Sequence, residues 1–165
     1  MARTSSELDS NEVICILKDH YGAFIYTNRQ MGNLFASPTG GFAGKTDYHL
    51  MPDYDAAAIR ANDKHVLLTG NELRTIEWVH QEKRANAYLV HKFRIEVNGK
   101  MFLGCLGQNL GEGKENLELR AKAADEFLKP IKEKLQERLR MIATKLCNKK
   151  SRSSSSRREA AGSSK

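Results

Sequence analysis

The side chains able to do chemistry are few and scattered. Five histidines, His20, His49, His65, His80 and His91, fall in separate stretches of a 165-residue chain. Three cysteines, Cys15, Cys105 and Cys147, stand far apart. An odd number at wide spacing is no disulfide framework, and no pair has zinc-ligand spacing. No Gly-rich phosphate loop and no cysteine–histidine nucleophile arrangement is readable. The expectation is a protein that is not an enzyme, holds no metal and works in a reducing cytoplasm.

Charge adds a second exclusion. The net charge of +7 belongs to the C-terminus. Residues 145–165 carry Lys145, Lys149, Lys150, Arg152, Arg157, Arg158 and Lys165 against Glu159, and the rest of the chain is close to neutral. Such a segment could meet nucleic acid weakly and without sequence preference, or it could simply be solvated. No helix-turn-helix is readable after residue 110. Residues 1–10 are polar and hold no apolar h-region, so no secretory leader is expected, and no uncharged apolar run reaches the ~20 residues a membrane span needs.

The elements that must position the candidate residues follow from local pattern. Val13 to Leu17 and Ala23 to Thr27 are strand-like runs around a turn at Asp19-His20-Tyr21-Gly22. They predict a hairpin. Residues 28–50 are short, mixed and Gly-rich, and predict brief helical turns. Pro52 and Asp53 open a longer helix, since proline suits a first helical turn. Gly70 ends it, because glycine accepts the left-handed conformation there.

Strand periodicity then takes over. Leu73 to His80 reads as one strand. Ala87, Leu89, His91, Phe93, Ile95 and Val97 alternate with Tyr88, Val90, Lys92, Arg94 and Glu96 in a second. Asn98-Gly99 is a strong hairpin signal, and Met101 to Leu106 is the returning strand. The more apolar row, Ala87 to Val97, is taken as the inner face, which places Tyr88, Val90 and Met101 outside. From Glu112 the chain reads as helix. Leu117, Ala121, Ala124, Leu128, Ile131 and Leu135 form a heptad-like seam. Pro130 should kink or split that helix near Leu128. Ser-rich residues 148–165 are expected to be disordered.

This order resembles a PAS domain over roughly residues 10–110. The pieces that carry the resemblance are Tyr21-Gly22-Ala23-Phe24-Ile25-Tyr26-Thr27-Asn28, Gly44-Lys45-Thr46-Asp47 before Leu50-Met51-Pro52, and Asp63 with Thr69-Gly70. Lys92-Phe93-Arg94-Ile95 and the Asn98-Gly99-Lys100 turn add to it. Gln108-Asn109-Leu110 departs from the family's usual Asp-Ile-Thr-type link to the exit helix. The implied fold is α+β, a five-stranded antiparallel sheet with helices on one face and a long C-terminal helix. The implied organisation is a flexible arm at 1–10, the PAS-like domain at 11–110, a helical or coiled-coil extension at 111–147 and a basic tail at 148–165.

The resemblance also implies a function. Such domains hold a small ligand between sheet and helices, or mediate dimerisation, and relay their state through the exit helix to a separate effector. A nucleic-acid-associated regulator using the tail, or a ligand-free interaction module, is the alternative. Covalent flavin is argued against because Asp47 stands near the place of the reactive cysteine. Haem is argued against because Ile59 stands near the place of the ligating histidine. Tyr26, Asn28, His65, Trp78, His91 and Cys105 are the pocket candidates. His91 could equally be a core-edge histidine bonded to a neighbour, and Cys15 and Cys105 could be inert thiols or a redox pair. Tyr88, Val90, Met101, Leu117, Leu128, Ile131 and Leu135 are candidates for a homodimer surface. The same helix could instead fold back on its own domain.

Overall fold

The computed structural model describes residues 8–9, 12–35 and 41–161, with side chains described as far as Lys149. Most of the expected N-terminal arm and residues 162–165 lie outside the described residues.

Strands β1 (Ile14–Asp19) and β2 (Phe24–Thr27) form the first hairpin. Helix α1 (Arg29–Leu34), a 3-10 turn (Asp47–His49) and helix α2 (Asp53–Thr69) follow. Asp53 and Asp55 sit in the first turn of α2, where the helix dipole favours negative charge. Gly70 stops it at φ 74°. Strands β3 (Leu73–Gln81), β4 (Arg84–Val97) and β5 (Lys100–Glu112) then run as a meander. Asn98 and Gly99, both at positive φ, make the β4–β5 turn.

The five strands form one antiparallel sheet in the order β2-β1-β5-β4-β3. Its inner face meets α1 and α2 through Ile14, Phe24, Met31, Ile59, Val79, Tyr88, Val90 and Cys105. Its outer face is covered by helices α3 (Leu117–Leu128) and α4 (Lys132–Ala161). Val13, Cys15, Leu17, Phe93, Ile95 and Leu106 pack there against Leu128, Leu135, Leu139 and Ala143. Gly104 permits this packing, because a Cβ there would collide with the Phe93 ring. The break between α3 and α4 falls around Pro130, which cannot continue the backbone ladder.

Three sequence expectations are corrected. The face assignment is inverted: Tyr88 and Val90 are inside, while Ala87, Leu89, His91 and Phe93 face α3 and α4. The inner row was masked by Lys92, a charged residue that reads as solvent-facing but is 2% exposed. The seam needs no second chain in this structure, since Leu117, Leu128, Ile131 and Leu135 pack on their own sheet. Finally, α4 continues to Ala161 instead of ending near residue 147. Extending an existing helix avoids the cost of nucleation, and arginine, glutamate and alanine propagate it well. No helix among the described residues is long and apolar enough to cross a membrane.

Candidate functional site

The inner face carries a small cavity of about 60 Å³ between the sheet and α1, α2 and the 3-10 turn. Most of its wall is apolar: Ile14 and Ile16 of β1, Met31 and Leu34 of α1, Met51, Ile59, Val79 and Val90. One end is not. Lys18, Asp47, Glu77 and Lys92 close it, together with Tyr88 and Cys105.

Strand parity puts these polar groups together. Lys18 shares its face with Ile14 and Ile16, and Lys92 shares its face with Tyr88 and Val90. Asp63, fully buried on α2, lies between the two ammonium groups. Lys18 Nζ donates to Asp47 at 2.6 Å and to Asp63 at 2.9 Å. Lys92 Nζ donates to Asp63 at 2.6 Å and lies 2.6 Å from Glu77. Asn62 donates to Glu77 as well, at 3.0 Å. Arg60 stands 4.0 Å from Asp63.

Burial would pull both lysines toward the neutral form, but the carboxylates outweigh it. Lys18 is held above the ordinary lysine value against burial, chiefly by Asp63 and then Asp47. Lys92 is raised likewise by Asp63 and Glu77. Asp63 is held below the carboxylate range, because Lys18 and Lys92 together overcome its burial. All three therefore stay charged near neutral pH. Protonated lysines are poor nucleophiles.

Burial pushes the Cys105 thiol up to about 12, and Cys15 likewise. Both are protonated and unreactive at neutral pH. They also stand on opposite faces of the sheet, Cys15 outward and Cys105 inward. The Tyr88 hydroxyl is the unusual group. It is buried, lines the cavity and has no hydrogen-bond partner. Burial raises its pKa to about 12, so it is a neutral donor and acceptor waiting for a match.

Of the six pocket candidates, only Cys105 lines this cavity. Tyr26 packs in the outer-face core. Trp78 packs outside too, against the Ala87–Leu89–Ala121 cluster beneath α3. His65 is exposed on the solvent side of α2. Asn28 is buried but spent: its Oδ1 accepts from Cys15 N at 3.0 Å, and its Nδ2 donates to the Leu8 and Val13 carbonyls. His91 lies beneath α3, with Nε2 3.4 Å from Asp125. Burial and then Lys132 lower its pKa, against the pull of Asp125. Met101 is 38% exposed at the β4–β5 hairpin. The residues missed were Lys18, Asp47, Asp63, Glu77 and Tyr88. A lysine inside an apolar strand run was the available signal. Among the described residues no group of three histidine, cysteine or acidic side chains is placed to hold a metal.

The connection from this site to the helices is also specific. Gln108 of β5 donates to the Ala124 carbonyl of α3 at 2.8 Å. Arg120 of α3 reaches back to the carbonyls of Leu110, Glu112, Gly113 and Glu115. One guanidinium thus fastens the strand end to the exit helix, at the place of the departing Gln108-Asn109-Leu110 triplet. Arg120→Ala should cost about 1–3 kcal/mol. Hydrogen exchange should quicken at residues 110–120 while the β1 and β4 amides stay protected. Equal protection throughout would mean the clasp is redundant.

A sheet in this order, gripping a cavity under helices on one side and handing over to exit helices, defines a PAS-type α+β module. The chain belongs to that family: the family model for the PAS fold matches residues 8–115. Solved structures show the same fold at low identity. VqmA of Vibrio cholera, in a complex with ligand and DNA, superposes with TM-score 0.59 and 20% identity over 67% of this chain and 51% of that one. This chain therefore spans about half the length of that relative. The RpfR quorum-sensing receptor PAS domain of Cronobacter turicensis, in complex with BDSF, gives 0.52 and 20% over 60% and 94%. A variant of RsLOV gives 0.59 and 16% over 84% of both chains. No curated protein matches the sequence.

Proposed function

We propose that this chain is a sensory module that binds a small ligand in the inner cavity and passes its state to α3 and α4. The observation that carries this reading is the Tyr88 hydroxyl, buried and unpartnered in a cavity wall. Buried polar groups ordinarily have partners, so a ligand that pairs with this hydroxyl fits the site. A ligand preferring one arrangement of the wall would shift the balance of states by its differential affinity. Lys92, Cys105 and Gly107 of the wall lie on β4 and β5, and β5 leads directly to the Gln108 and Arg120 contacts with α3. The VqmA and RpfR structures, each with a ligand, are consistent with the reading.

In this reading the module acts by binding and not by catalysis, since the Cys15 and Cys105 thiols and the Lys18 and Lys92 ammonium groups are held in their unreactive forms. Its three free cysteines suit a reducing cytoplasm. The output goes to a separate partner, an effector or a second copy. For either one, the exposed side of α3 is available, with Leu119 67% and Phe127 51% exposed. The basic segment after residue 145 supports a second reading, in which nucleic acid is that partner.

A native mass spectrum beside a denatured one tests the first reading. A fixed excess over the chain mass supports ligand binding. A bare mass from freshly purified protein, unchanged after incubation with extract of the source cells, counts against it and favours an interaction module. Binding to DNA that vanishes when residues 145–165 are removed would support the second reading.

A further inference from the structure

The cavity selects by charge. In its wall Lys18 and Lys92 supply two positive charges, and Asp47 and Glu77 supply two negative ones. Each lysine already rests on two carboxylates, and Asp63 serves both. The wall is balanced before any ligand arrives.

A carboxylate entering this space would add a buried negative charge beside two lysines that each already hold two carboxylates. An amine would add a buried positive charge with no free carboxylate. Either ion would have to break an existing pair, which leaves a charge stranded away from water. The remaining wall is apolar and rewards only apolar surface. Among the described wall residues, the buried polar atom without a partner is the hydroxyl of Tyr88, a residue 4% exposed.

Resting on the ligand-binding reading above, we infer that the ligand is a small uncharged molecule with one hydrogen-bonding group for Tyr88 Oη and an otherwise apolar body. Its size is limited too. A cavity of about 60 Å³ is well under the roughly 150 Å³ that accepts benzene, so a short branched chain fits it, a single ring enters only by spreading the wall, and a long acyl tail is excluded. A fatty acid fails on both charge and length.

The test is a charge series on one shape. Benzyl alcohol, benzoate and benzylamine are titrated at pH 7 into the isotope-labelled full chain, and amide shifts at Tyr88, Val90 and Cys105 are followed. Benzyl alcohol should bind about tenfold or more tightly than either ion. In the Tyr88→Phe protein its affinity should fall about three- to tenfold, the worth of one hydrogen bond. The same variant without ligand should melt at or above the parent temperature, since it removes a hydroxyl that has no partner.

Benzoate or benzylamine binding as tightly as the alcohol overturns the uncharged class and leaves the sensory reading standing. Undiminished affinity in Tyr88→Phe overturns the role given to the hydroxyl. Silence at these amides from all three probes overturns the inferred class. The sensory reading would fall only if the native mass were bare as well.

Discussion

Asp63→Asn lowers the melting temperature by on the order of 10 °C. The side chain is fully buried and receives both Lys18 and Lys92. Asparagine keeps the shape but removes the charge that two ammonium groups share. Breaking one member of a buried ionic set costs about 3–5 kcal/mol, because the remaining charges stay desolvated. At this chain length each kcal/mol is worth about 2–4 °C. Thermal melts of parent and variant at pH 7 read the difference directly. A shift under about 2 °C would mean that the three acids exchange roles freely and that Asp63 is not the keystone.

The pH dependence of the parent follows from the same groups. Asp63 has a lowered pKa in the folded state. Its contribution is complete above the ordinary carboxylate value and is lost as pH falls through the folded one. Lys18 and Lys92 have raised values. Their contribution is complete below the ordinary lysine value and is lost as pH rises through the folded ones. Between about pH 5 and pH 9 neither contribution changes, so the Asp63→Asn deficit should be flat across that window.

What the sequence made legible and what it hid divide along one physical line. The order of elements, the Asn98-Gly99 turn, the stop at Gly70 and the break at Pro130 rest on backbone chemistry within a few residues. Each was readable for that reason. The site was not. Alternation sorts a strand into two rows, but it does not say which row meets α2. Lys92 marked its row as polar and so as outward, although its partners make it interior, and Lys18 lay just past the apolar run read as the first strand. Those partners are far away in sequence: Asp47 and Asp63 are 29 and 45 residues from Lys18. No local pattern announces such a pairing. The helical seam was ambiguous for a different reason. A stripe of leucines every three or four residues looks the same whether it meets another helix or the face of a sheet.

That ambiguity gives the second large effect, at Leu139. Its side chain is fully buried on α4, in the cluster with Leu17, Phe93 and Leu106 of the sheet. Leu139→Ala should cost about 2–5 kcal/mol through lost apolar contact and the space left behind. Leu139→Asp should cost more, because an unpaired carboxylate must leave the core or stay protonated in it. The expected result is an undocked α4 and an outer sheet face open to water. Melting should fall by about 10 °C or more, and the uncovered face should drive self-association. Leu119→Asp, on the exposed side of α3, is the control and should leave the melting temperature within about 2 °C. The direction of the mass change separates the two roles of the seam. If α4 covers its own sheet, Leu139→Asp turns a well-behaved species into larger ones. If instead α4 pairs with α4 of a second chain, the same substitution dissociates a dimer and leaves the sheet domain melting as before. Sedimentation of the parent and both variants distinguishes these outcomes, and the second would return Leu128, Ile131 and Leu135 to an interface between chains.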